Sequence, residues 1–171
     1  GGAAAAATAL REVVSACGAA CFETYAGRGI IAWDYPLNFG ATLARPSSSQ
    51  IMEQADCIVA IGTELAEVDL WRYHLGHDCP LFRIDLDPEC LEDEHRAEFA
   101  IHARAEVSMT SLQQEITPSY SSWQVSAVAQ QRRAWRVESE AERPGIIAIV
   151  DALRESVPEN TMIYSDMTQF S

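Results

Sequence analysis

The run Cys57–Ile61, CIVAI, contains no polar side chain and stops at Gly62-Thr63. A strand with one wet face alternates polar and apolar residues. A run that is apolar throughout suits a parallel strand covered on both faces. Leu81–Asp85, LFRID, halted by Asp87-Pro88, and Phe99–His102 read as further strands. Helical segments separate them. Ala3–Ala16 is rich in the strongest helix former, sets Leu10, Val13, Val14 and Cys17 on one face, and has Gly18 placed to end it. Pro46 with Ser47–Ser49 opens a short helix to about Ala55, and Glu106–Ile116 is another. Ala20–Thr24 reads as a short buried strand, and Ala26–Gly40 as a long, glycine-bearing connection.

Strands alternating with helices predict an α/β fold of Rossmann-like kind, a mainly parallel sheet with helices on both faces. Thr117–Ser122 is turn-rich and leaves that domain. A polar helix over Trp123–Ser139 is broken at Arg143-Pro144-Gly145, and Ile146–Val157 is an amphipathic helix with Ile146, Ile149, Val150, Leu153 and Val157 on one face. Thr161–Ser165 then starts a strand six residues before the chain stops. The expected organisation is a domain over 1–116, a linker with a helix over 117–143, and the truncated beginning of a second α/β domain over 144–171.

Acidic side chains number 25 against 12 basic, all arginine, for a net charge of −13. Such a surface disfavours nucleic acid and anionic membranes, whose binding rests on basic side chains. No run approaches the roughly 18 apolar residues that span a bilayer. The N-terminus lacks the cationic region of a signal peptide. The 5 cysteines are odd in number and sit in apolar or mixed segments, which points to reduced thiols and a cytoplasmic setting. His74, His77 and Cys79 have ligand-type side chains at short spacing, but nothing supplies the rest of a closed zinc set, so a loop with a local histidine pair is the expectation. No Gly-x-Ser-x-Gly elbow occurs. Trp71 and Tyr73 read equally as interface or core.

Taken in order, Gly1-Gly2-Ala3 opening a helix, Gly27-Arg28-Gly29-Ile30, DYPLNFG at Asp34–Gly40, ADCIVAIGTEL at Ala55–Leu65 and FRIDLDP at Phe82–Pro88 resemble the central domain of thiamine-diphosphate-dependent enzymes of the acetolactate synthase type. The wording GTELAEVDLW at Gly62–Trp71 is similar to the 5-guanidino-2-oxopentanoate decarboxylase branch. From Arg143 the chain resembles the opening of the family's diphosphate-binding domain, with Asp166, Met167, Thr168 and Gln169 in its strand-end loop.

The resemblance implies a nucleotide-binding-like central domain and a parent enzyme that decarboxylates a 2-oxoacid through the ylid of thiamine diphosphate, with magnesium, as a homodimer or homotetramer. Gly1, Gly2, Gly40, Gly62, Thr63, Asp85 and Asp87 would line the crevice at the carboxyl ends of the strands, where ligands of wound sheets sit. Thr168 and Gln169 would touch the thiamine diphosphate, beside Asp166. It also implies that a central strand precedes Gly1, that the catalytic glutamate lies upstream and the magnesium motif downstream, and that this chain alone is inactive. FAD occupies the crevice in several relatives, but Glu64 stands where flavin-binding synthases carry an arginine. A free-standing FAD- or NAD-binding module, or a non-catalytic scaffold, are the rival readings.

Overall fold

The structure, a computed structural model, describes residues 2–158 together with 160, 161 and 163. It divides into two compact units, Gly1–Val128 and Ala129–Ser171. The expected strand at Thr161–Ser165 falls mostly outside the described residues, as do Gly1, Asp166, Thr168 and Gln169 in full.

The first unit holds five strands: β1 (Cys21–Phe22), β2 (Asn38–Gly40), β3 (Ile58–Ile61), β4 (Leu81–Asp85) and β5 (Phe99–His102). All pairings are parallel, in two sheets ordered β1-β2 and β3-β4-β5. The helices of this unit are α1 (Ala7–Cys17), α2 (Ser48–Met52), α3 (Glu67–Leu70), α4 (Pro88–Leu91) and α5 (Ala105–Glu115), and a longer helix, α6 (Val125–Glu142), begins in it.

Alternation along the strands feeds two cores. On one face Ile84 packs with Ala6, Leu10 and Val14 of the N-terminal helical segment and with Ala105 and Met109 of α5. On the other, Ala60 and Leu81 pack with Leu43, Met52, Leu70 and Leu75. Cys21 joins the first core and neighbouring Phe22 the second, so β1 reaches both faces although among the described residues it pairs only with β2. Among the described residues β3 in turn pairs only with β4, and Val59 on it is 48% exposed. The expected single sheet is thus present as two pieces that share both cores.

Several elements differ from expectation for local reasons. The first helix starts late: Gly2–Ala4 forms a 3-10 turn, and Ala6 has no side chain to cap α1. Gly18 ends it in the left-handed conformation, φ 60°, as expected. β1 shrinks to two residues because its register with β2 shifts between Cys21 and Phe22. The stretch read as connection up to Gly40 contains β2. Asp87-Pro88 is a helix start as well as a strand stop: Asp87 Oδ1 accepts from the Glu89 N–H and Pro88 opens α4. α2 stops at Met52, short of Ala55. Trp71 and Tyr73 are 73% and 79% exposed, which rules out the core reading.

The second unit contains most of α6 and α7 (Ile146–Ser156). Arg136 Nη2 on α6 donates to both carboxylate oxygens of Asp151 on α7 at 2.7 Å, and Glu140 accepts from the Gly145 and Ile147 N–H groups across the break. The apolar stripe of α7 is present, but none of its residues is buried.

Burial first, then the charges of Glu23 and Cys17, push the Cys21 thiol from 9.0 up to about 12. A folded pKa above the unfolded one means the unfolded chain loses its proton first as pH climbs. Cys21 therefore contributes stability in full below pH 9.0 that is lost progressively towards about 12. Urea unfolding across that range should show a falling free energy. In Cys21→Ala the fall should be shallower but not absent, since burial also raises Tyr35 to about 12.

Candidate functional site

Parallel strands place their carboxyl ends at one edge of the sheet, and the loops that follow carry most of the residues singled out in the sequence. Gly40 ends β2 with φ 77°, Gly62 follows β3 with φ 60°, and Asp85 ends β4. Thr63 and Asp87 lie just beyond. Glu64, Asp85 and Asp87 form one electrostatic neighbourhood: burial first, and then the charges of Asp87, Asp85 and Glu64, hold the Cys90 thiol above its usual range. Gly2 lies in the 3-10 turn before α1.

The groups at these strand ends are largely committed to the protein. The Gly40 N–H donates to Asn38 Oδ1 at 2.7 Å and the Gly62 N–H to the Ile84 carbonyl at 2.8 Å. Thr63 Oγ1 accepts from the Leu65 N–H, and Asp85 Oδ1 accepts from the Asp87 N–H. A diphosphate needs free donors and positive potential. Here two glycine amides are spent and three carboxylates gather, so the residues present do not fit the diphosphate of a flavin.

One residue that the sequence reading passed over organises this loop. Arg83, in the middle of β4, is 1% exposed. Its guanidinium donates to the Thr63 carbonyl at 3.2 Å, to the His95 carbonyl at 3.1 Å and to Asp93 Oδ1. It ties the turn after β3 to the segment leading into β5. The available signal was an arginine inside an otherwise apolar strand. The same turn stores backbone strain: Leu65 (φ 52°) and Trp71 (φ 53°) are non-glycine residues in the left-handed region, on either side of α3.

A cavity of about 420 Å³ lies apart from the strand-end residues, between the segments 73–78 and 94–96 with Glu53 beside them. It contains His74 and His77 of the expected histidine pair. No group of three or more histidine, cysteine or acidic side chains among the described residues could hold a metal ion, and Cys79 is a free thiol. No helix among the described residues is long and apolar enough to cross a membrane.

Residues 1–112 match the family described as thiamine pyrophosphate enzyme, central domain. The chain is 31% identical, over 175 aligned residues covering 100% of it, to a probable 2-ketoarginine decarboxylase of Pseudomonas aeruginosa. It is 27% identical over 156 residues, 84% of the chain, to a pyruvate oxidase of Lactiplantibacillus plantarum. It spans 31% and 25% of the lengths of these two relatives. The parallel α/β architecture agrees with that match, and the chain belongs to the thiamine pyrophosphate enzyme family, whose central domain it carries.

Proposed function

We propose that the chain is the central part of a thiamine-diphosphate-dependent decarboxylase of guanidino 2-oxoacids. The observation that carries this reading is the alignment of the whole chain with the probable 2-ketoarginine decarboxylase at 31% identity. Bound thiamine diphosphate, with magnesium, supplies the electron sink for loss of carbon dioxide. This part of the protein spaces the domains that hold it. The edges of β1 and β3 that are unpaired among the described residues support a central strand, from residues preceding Gly1, seated between them. Asp166, Thr168 and Gln169 are proposed to approach the cofactor, with the residues 144–171 opening the diphosphate-binding domain after a linker over 117–143. The parent is a cytoplasmic homodimer or homotetramer, a setting that suits the free thiols.

Gly2, Gly40, Gly62, Thr63, Asp85 and Asp87, with Gly1, form in this reading a structural crevice that holds no flavin. The assay is carbon dioxide release by the longer protein, with thiamine diphosphate and magnesium, from 5-guanidino-2-oxopentanoate and from pyruvate. Preference for the guanidino acid is expected; preference for pyruvate sinks the reading. The 171-residue chain alone is expected to turn over neither substrate and to leave added FAD unbound in equilibrium dialysis. A yellow preparation that retains flavin would instead favour the nucleotide-binding module.

A further inference from the structure

β5 ends the β3-β4-β5 sheet, and its outer edge has no partner strand among the described residues. All of β5, Phe99–His102, is exposed. Along a strand, one residue turns both backbone groups to a neighbour and the next turns them away. The Ala103 N–H donates to the Asp85 carbonyl at 3.0 Å, so Phe99, Ile101 and Ala103 turn their backbone groups to β4. The N–H and C=O groups of Ala100 and His102 therefore point out from the edge. Side chains alternate as well. Phe99, 52% exposed, stacks on Phe82 with ring centroids 4.4 Å apart, and Ile101, 41% exposed, follows on the same face. An open edge with apolar side chains beside it is a template for another strand.

Charge selects the strand that fits. The chain carries a net charge of −13, so two copies repel over most of their surface. The segment 96–106 is an exception, because Arg96 and Arg104 balance Glu98 and Glu106. Laid antiparallel against a second copy about a twofold axis at Ile101, β5 pairs Ala100 with the partner's His102 through the outward backbone groups. The same register sets Glu98 opposite the partner's Arg104 and directs Arg96 towards the partner's Glu106. Arg104 is extended, φ −69° and ψ 135°, so the strand direction holds that far. Glu98 is anchored by the Leu81 N–H, which donates to its Oε2 at 2.7 Å. Sliding the copies by two residues would oppose Arg96 with Arg104, or Glu98 with Glu106. At the axis Ile101 meets its own counterpart, where the Cα atoms of a non-hydrogen-bonded pair lie about 4.5 Å apart.

We propose that two copies of this chain join edge to edge through β5, antiparallel about Ile101, so that one sheet runs across the pair. Such an interface is self-complementary, each copy giving the same patch. The opposite end of the sheet, at β3, takes no part. The pairing concerns assembly and does not rest on the reaction of the longer protein.

Sedimentation equilibrium of the 171-residue chain should show a reversible dimer. Ala100→Pro removes an outward N–H, a change that an edge strand accepts without losing its inner ladder. It should raise the dimer dissociation constant about tenfold or more, or about 1.4 kcal/mol. Arg104→Glu, on an exposed side chain, sets like charges opposite each other at both ends of the pairing and should do the same; it carries the test if Ala100→Pro fails to fold. Ile101→Cys oxidised with diamide should give a covalent dimer whose linked peptides join position 101 to position 101. A monomer at every concentration overturns the proposal. So does a dimer that the charge reversal leaves unchanged, or a covalent dimer without the 101–101 link. Turnover by the longer protein is measured separately, so a failure here and a failure of the proposed activity are told apart.

Discussion

Arg83→Ala is expected to cost the fold about 3–5 kcal/mol, the range for breaking a buried, hydrogen-bonded ion pair. The substitution orphans the Thr63 and His95 carbonyls together, and it removes the cation beside Asp93, whose side chain is only 28% exposed. Asp93→Asn keeps a hydrogen-bonding group in place and should cost less, about 1–3 kcal/mol. Arg83→Lys should fall between them, because one ammonium cannot span three acceptors in a plane. Urea unfolding of the three variants gives the order. A loss below about 1 kcal/mol in Arg83→Ala would show that the guanidinium fills space without clamping, since surface-type substitutions stay near that size.

Gly76→Ala is the second large effect, about 2–4 kcal/mol, combining a left-handed residue with forced overlap. Gly76 has φ +90°, and an added Cβ would lie 2.6 Å from Ser49 Cβ and 2.9 Å from Ser49 Cα. Gly29, at φ +83° with nothing within 4 Å, isolates the first contribution. Gly29→Ala should therefore cost only about 1–2 kcal/mol. Adding Ser49→Gly to Gly76→Ala should recover part of the difference and not all, because the backbone contact remains. Equal midpoints for the two alanine variants would mean that α2 moves aside freely.

Which elements could be read from the sequence follows from how each is held. Leu81–Asp85 and Phe99–His102 occupy the spans read for them. β4 sets the large apolar residues Leu81, Phe82 and Ile84 directly after Pro80, and the burial of Leu81 and Ile84 drives it. β2 was missed because Asn38–Gly40 is three residues long and polar at its start; it exists through its pairing with β1, which no local pattern announces. α3 and α4 are single turns set by the loops on either side of them. The carboxylates at the strand ends were named, but their employment was not. The Asp-Pro pair is compatible with Asp87 facing a ribose and with its capping a helix, and the structure shows the cap. An arginine inside an apolar strand marked Arg83, but its role was not legible, for the opposite reason. Its partners are two backbone carbonyls and one aspartate, distant along the chain, and carbonyls carry no sequence signature.

Chain order also gives α1 a particular predicament. Its core partners Ala105 and Met109 lie on α5, and Glu12 hydrogen-bonds with Gln113, 101 positions later. During synthesis at about 5–20 residues per second, the first helix therefore emerges several seconds before the surface that shelters it. β3, β4 and β5 follow one another closely and can assemble meanwhile. An early, greasy helix waiting on a late one is the kind of segment that chaperones cover, and ribosome-bound nascent chains ending before α5 should be the ones they hold.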